Sequence, residues 1–143
     1  PWEYNLSVPG QTEIKPLGME VEFKILNSAE VKTSQYSNRK KSDSEFVEFI
    51  DYNEVKYPLK LRNRRIGDMF YPLKMAGVKK VKEFFIDNKV PKGHRDLIPI
   101  LVDSEGKIVW IVGMRLDDRV KITSDTTKML YIKIKTKSKL LHF

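Results

Sequence analysis

"IPILVDSEGKIVWIVGMR", residues 98–115, decides the architecture. Two apolar runs flank the polar, glycine-containing "SEGK" at 104–107, so the segment reads as a β-hairpin. Its second arm holds the longest apolar run of the chain, "IVWIV" at 108–112, far short of a membrane span. Trp110 at the centre of that run belongs in a core. Working outward, "KMLYIKIK" (128–135) alternates, with Leu130, Ile132 and Ile134 inward. "MEVEFKIL" (19–26) does the same, with Met19, Val21, Phe23 and Ile25 on one face. This period of two is that of a half-buried strand. "EYNLSV" (3–8) and "EFVEFI" (45–50) read as further strands, and "PGQT" (9–12) as a turn. "YPLKLR" (57–62) is a strand with Leu59 and Leu61 inward, which turns Lys60 and Arg62 outward. Residues 27–44 are polar and aperiodic, a long hairpin loop. "DYNEV" (51–55) fits one helical turn capped by Asp51.

One helix stands out. Across "GVKKVKEFFIDNK" (77–89), Val78, Val81, Phe84 and Phe85 share an apolar arc, with Lys79, Lys80, Lys82 and Glu83 opposite and Pro91 as the stop. Strands outnumber helices and no βαβ alternation occurs. The fold class is therefore α+β and β-rich: layered sheets with a packed helix. We divide the chain into an N-terminal β-hairpin and connecting region, 1–56, and a second domain, 57–143, whose lysine-rich tail reads as frayed. The chain opens on Pro1 and runs straight into strand-like sequence, as an excised domain does.

The 143 residues carry a net charge of +8 and no cysteine, so disulfides and thiolate sites are excluded. Residues 1–57 hold 7 Lys and Arg against 10 Asp and Glu, whereas residues 58–143 hold 20 against 9. Such asymmetry points to a polyanion, nucleic acid before membrane, unless the lysines serve only solubility. No glycine-rich phosphate loop, nucleophile elbow or metal-ligand spacing is present, and His94 and His142 are isolated. Asp117 and Asp118 are adjacent and point apart, which suits capping a turn or pairing with Arg115 or Arg119. The chain by itself carries no catalytic site, and with no leader the default location is the cytosol.

The basic density peaks between Arg62 and Arg95, where ten Lys and Arg face three acids. Within it, "LRNRRIGDMF" (61–70) places three arginines around a Gly-Asp turn. Arginine's planar fork grips phosphate with two hydrogen bonds. Arg62 and Arg64 read as an outward pair; Arg65 points the other way, toward a bridge with Asp68. Lys79, Lys80 and Lys82 read either as a solvated helix face, Lys79 pairing with Glu83, or as point charges for phosphate. Phe84 and Phe85 belong to the core. Phe70 and Tyr71 are the aromatics placed for stacking on a base, if they do not anchor the loop.

Several linked motifs then carry a resemblance: Arg-x-Arg-x-x-Gly-Asp at 62–68, Gly-x-Lys-Lys at 77–80, "FFIDNKVP" at 84–91, Arg95 before "LIP", and "IVWIVGMR" at 108–115. In this order they resemble the C-terminal domain of the bacterial tRNA(Ile)-lysidine synthetases, over roughly residues 57–127. The resemblance implies a β-sandwich in layers with helices, similar to a domain of the phenylalanyl-tRNA synthetase β subunit. It implies a full-length enzyme that uses ATP and magnesium to attach lysine to the wobble cytidine of an isoleucine tRNA with a CAU anticodon. That chemistry sits in an N-terminal catalytic domain with a Ser-Gly-Gly-x-Asp-Ser loop, absent here, so no cofactor is expected in this chain. The C-terminal domain helps recognise the tRNA body and acceptor stem. Carried over by motif, and with Lys82 added from the helix face, the RNA-facing set is Arg62, Arg64, Arg65, Lys79, Lys80, Lys82, Arg95 and Arg115. One departure is Met69, where the family commonly has a basic residue after Gly-Asp. The alternative to RNA recognition is a protein-interaction or dimerisation module with incidental charge, since exposed sheet edges leave a homodimer open.

Overall fold

The computed structural model describes residues 1–30, 40–42 and 44–137. In chain order its strands are β1 (Glu3–Asn5), β2 (Gly10–Ile14), β3 (Met19–Asn27), β4 (Lys40–Ser42), β5 (Glu45–Asp51) and β6 (Lys60–Arg62). There follow β7 (Met69–Phe70), β8 (Lys79–Lys80), helices α1 (Val81–Asp87) and α2 (Lys92–Arg95), then β9 (Ile100–Val102), β10 (Ile108–Ile111), β11 (Arg115–Leu116) and β12 (Lys128–Thr136). One sheet has the order β1-β6-β9-β10-β11, a second β2-β3-β12-β5-β4, and β7 pairs β8 as a separate ribbon. Each of the two larger sheets draws strands from both sides of residue 57.

The layers follow from two cores. Val21, Phe23, Phe46 and Ile132 of the second sheet meet Leu61, Leu101 and Val109 of the first. On the other side of the first sheet, Ile100, Val102, Ile108 and Ile111 pack under Phe70, Val81, Phe84 and Phe85 of the ribbon and α1. The first sheet is thus covered on both faces, which is why "IVWIV" is apolar at every position rather than at alternate ones. A register shift between Ile108 and Trp110 in the β9–β10 pairing puts the successive residues Val109 and Trp110 in the same core, with Ile108 and Ile111 in the other. Long β12 runs antiparallel between β3 and β5, and its outer-facing Lys133 and Lys135 stand opposite Glu22 and Glu20 of β3. Such cross-strand charge pairs support the register that alternation sets.

Several local expectations hold. Residues 100–102 and 108–111 form the hairpin, and a 3-10 turn at Tyr52–Glu54 is capped by the Asp51 carboxylate, which accepts from Asn53 N. Asp117 caps a second such turn at Asp118–Val120.

Others are corrected. "PGQT" is not a turn: Gly10–Ile14 extends as an outer strand against β3. The helix begins at Val81, not Gly77, because Lys79 and Lys80 pair with Phe70 and Met69 as strand. The first helical N–H, that of Val81, is taken by the Asp68 carbonyl at 2.9 Å. Val78, assigned by spacing to the apolar arc, is therefore outside the helix and exposed. The helix ends before Pro91 acts: Asn88 folds back, its N–H and its Nδ2 both donating to the Phe84 carbonyl. The last strand, read over 128–135, runs one residue further, to Thr136. His142 and residues 31–39 of the long polar loop lie outside the described residues.

Candidate nucleic-acid interface

The arginine loop is built around Asp68. Asp68 N donates to the Arg65 carbonyl at 3.1 Å, closing a four-residue turn. Gly67 sits at its third position with φ 87°, which any side chain would strain. Ile66 is left fully exposed at the tip. The Asp68 carboxylate then accepts three bonds. Arg62 Nη1 and Nη2 donate to Oδ2 and Oδ1 at 2.9 and 3.0 Å, and Arg65 N donates to Oδ2 at 2.8 Å. Arg62 Nη1 also donates to the Asn63 carbonyl at 3.0 Å.

This corrects the expected placement of the two arginines. Arg62 is not outward in solvent: its side chain is 6 % exposed, against 12 % for Asp68. Alternation does turn it away from Leu61, but it pairs in register with Ile100 and so lies on the face that α1 and the ribbon cover. Arg65, assigned to hold Asp68, does so through its backbone only. Its guanidinium reaches out to Glu3 at 2.7 Å. Arg64 donates Nε to Asp96 at 2.9 Å.

Glu3 and Asp96 are residues that the sequence alone did not single out. They are brought in by the N-terminal strand. Trp2 N donates to Asn63 Oδ1 at 3.0 Å, Asn63 N to the Trp2 carbonyl at 3.3 Å, and the Trp2 indole to the Asp96 carbonyl at 3.2 Å. Pairing of β1 with β6 sets Glu3 opposite Arg62. The bond from Lys60 holds the Glu3 carboxyl below its usual range against the opposing effect of burial, and Arg65 adds a smaller lowering.

Between the loop and the start of α1 lies a cleft of about 660 Å³. Arg64, Arg65, Lys80 and Lys82 line it, with Asp68 and Asp96 as its carboxylates. Asp68 is already neutralised by Arg62. Lys80 and Lys82 are exposed and carry no ion pair among the described residues. The remaining candidates stand apart. Lys79 is paired with Asp87, not Glu83. Arg95 is half-buried and donates Nε to the Val90 carbonyl at 3.0 Å. Arg115 donates to the Leu73 carbonyl at 3.0 Å and lines a different cavity beside Trp110. Phe70 is buried against Phe84, whereas Tyr71 is exposed. Among the described residues no group of three or more His, Asp or Glu is disposed to hold a metal ion, and no helix is long and apolar enough to cross a membrane.

Comparison with known proteins places this geometry. Residues 59–134 match the family model described as the TilS substrate C-terminal domain. The tRNA(Ile)-lysidine synthase of Caldanaerobacter subterraneus subsp. tengcongensis is 39 % identical over 127 residues, 89 % of this chain and 25 % of that protein. That of Bacillus subtilis is 32 % identical over 135 residues, 92 % of this chain and 26 % of that protein. The chain thus spans about a quarter of the length of the curated relatives it matches. A crystal structure of a TilS C-terminal domain superposes with a TM-score of 0.72 at 26 % identity, covering 96 % of this chain and 98 % of that one. An N-terminal fragment of the phenylalanyl-tRNA synthetase β subunit from Pyrococcus horikoshii shares the fold, with a TM-score of 0.64 at 16 % identity over 82 % of this chain and 39 % of that one. With its layered sheets, its Arg-x-Arg-x-x-Gly-Asp loop and these matches, the chain belongs to the TilS C-terminal domain family of the tRNA(Ile)-lysidine synthases.

Proposed function

We propose that this domain recognises the body and acceptor stem of a tRNA through the backbone phosphates, and that the tRNA is the isoleucine tRNA modified by the whole enzyme. The observation that carries the reading is the cleft in which Arg64, Arg65, Lys80 and Lys82 converge. Two of these cations come from a loop that Arg62 and Asp68 make rigid, so their geometry is set before any ligand arrives. Arg64 and Arg65 rest on Asp96 and Glu3 in partly exposed pairs. Such pairs are worth about 0–1 kcal/mol each, so a phosphate displaces the carboxylate at little cost. Lys80 and Lys82 add point charges. Arg62 serves the site as a positioning residue rather than as a contact. In this reading, ligation of lysine to the wobble cytidine, with its ATP and magnesium, falls to a nucleotide-binding domain outside these residues, and the setting is the cytoplasm.

The test is titration with isoleucine tRNA at several salt concentrations. Four phosphate contacts predict a log–log slope of about −3 to −4, at roughly −0.9 per contact for a duplex. Absence of binding at low salt, or equal binding to any acidic polymer, refutes recognition. A salt-independent dimer without RNA binding favours the protein-interaction module instead.

A further inference from the structure

The β7–β8 ribbon turns one face inward and leaves the other uncovered. Phe70 and its partner Lys79 face the helix, and Phe70 is fully buried. Met69 and its partner Lys80 face away. Alternation carries Tyr71 and Val78, one step further along, onto the same outer face. Met69, Tyr71 and Val78 are 53 %, 40 % and 53 % exposed, so the face is apolar and open. Lys80 joins it directly to the cationic cleft.

Tyr71 is held unusually firmly for an exposed aromatic. Its N–H donates to Asp117 Oδ2 at 3.0 Å, and its carbonyl accepts from Asp118 N at 2.6 Å. The Arg119 guanidinium lies 4.5 Å from the ring centroid. Arg119 is in turn fixed on the fully buried Asp117 by two side-chain bonds of 2.9 and 3.0 Å and a backbone bond of 2.8 Å. The Tyr71 backbone and the Arg119 cation are thus held in place, with the guanidinium already against the ring. Around this face the carboxylates are all paired, Asp68 with Arg62, Asp117 with Arg119 and Asp118 with Lys121, while the exposed Lys80 carries no ion pair among the described residues.

We propose that the outer face of the ribbon, centred on Tyr71 with Met69 and Val78, is a stacking platform for an unpaired base at the end of the bound RNA. The proposal deepens and rests on the RNA-binding reading above. An aromatic face flanked by cations suits a nucleotide in both its parts. The ring takes the base, and Lys80 and Arg119 take the charge of its phosphates. Inside a duplex the bases stack on one another, so a blunt stem offers phosphates to the cleft and no single unpaired base to the ribbon. The cleft alone therefore reads the backbone, and the platform distinguishes an RNA with an unpaired end.

The experiment compares two synthetic hairpin RNAs, one blunt and one with a four-nucleotide 3′ tail carrying 2-aminopurine. With the wild-type chain the tail tightens binding roughly tenfold, in line with base stacking on an aromatic, and the 2-aminopurine fluorescence changes on binding. Tyr71→Leu abolishes both effects while blunt-hairpin binding is unchanged. Tyr71→Phe keeps them, and Val78→Ser weakens them. If the wild type binds both RNAs equally with no fluorescence change, or if Tyr71→Leu weakens both RNAs by the same factor, the platform is refuted and the phosphate grip stands. If neither RNA binds, the RNA reading itself falls, and the platform with it.

Discussion

Replacing Arg62 with alanine separates a positioning role from a contact role. In the structure its guanidinium is buried and donates three hydrogen bonds, two to Asp68 and one to the Asn63 carbonyl. Arg62→Ala leaves the Asp68 carboxylate nearly buried with only a backbone N–H as partner, and the Asn63 carbonyl loses a donor. Removing one member of a buried pair costs about 3–5 kcal/mol. An unfolding entropy of about 2.1 cal/mol/K per residue gives roughly 0.3 kcal/mol/K for this chain, so Tm falls by about 10–17 °C. Urea unfolding followed by circular dichroism should show the midpoint shift without a change in slope. Arg64→Ala, by contrast, loses a partly exposed pair and should shift stability by at most about 1 kcal/mol. If Arg62→Ala unfolds at the wild-type midpoint yet loses RNA binding, Arg62 is a phosphate contact and the positioning argument is wrong.

Three further outcomes follow from the same coordinates. Phe85 is fully buried between α1 and the first sheet, so Phe85→Ala should cost about 3–5 kcal/mol in urea unfolding. Glu3 has a carboxyl pKa lowered from 4.5 mainly by Lys60 and then Arg65. A depressed carboxyl stabilises the fold above its unfolded pKa and loses that contribution as pH falls through the folded one, so Tm should decline below about pH 4.5, and less so in Glu3→Gln. Gly67→Ala forces a side chain to φ 87° where nothing crowds it; the strain should cost about 1–2 kcal/mol and be read as a lower Tm.

The sheets were legible because their signals were local. Alternation in "MEVEFKIL" and "KMLYIKIK" and the turn residues of "SEGK" need no knowledge of neighbours. Misreadings arose where a tertiary partner decided the outcome. Gly10 and Gln11 sit in a stretch dense with turn formers, yet β3 offers them a ladder. Lys79 and Lys80 have helical spacing to Phe84, yet the Asp68 carbonyl and β7 claim the chain first. Arg62 obeyed its alternation, but the face it turned to is covered by α1, which strand periodicity cannot reveal. The candidate site was legible as a density of charge and not as a geometry. The arginine loop is tied to Trp2 and Glu3, some 60 residues away in the chain, while Arg95 and Arg115 are tied to the Val90 and Leu73 carbonyls, and none of these partners shows in local spacing.

The sharpest measurement is the salt dependence of isoleucine-tRNA binding for the wild type beside the variant with Arg64, Lys80 and Lys82 all changed to alanine. Lys80 and Lys82 are exposed and Arg64 gives up only its partly exposed pair with Asp96, so the variant should keep the wild-type stability to within about 1 kcal/mol. The log–log slope should flatten by about 2–3, since each lost phosphate contact removes roughly 0.9. An unchanged slope in a fully folded variant would contradict the phosphate grip.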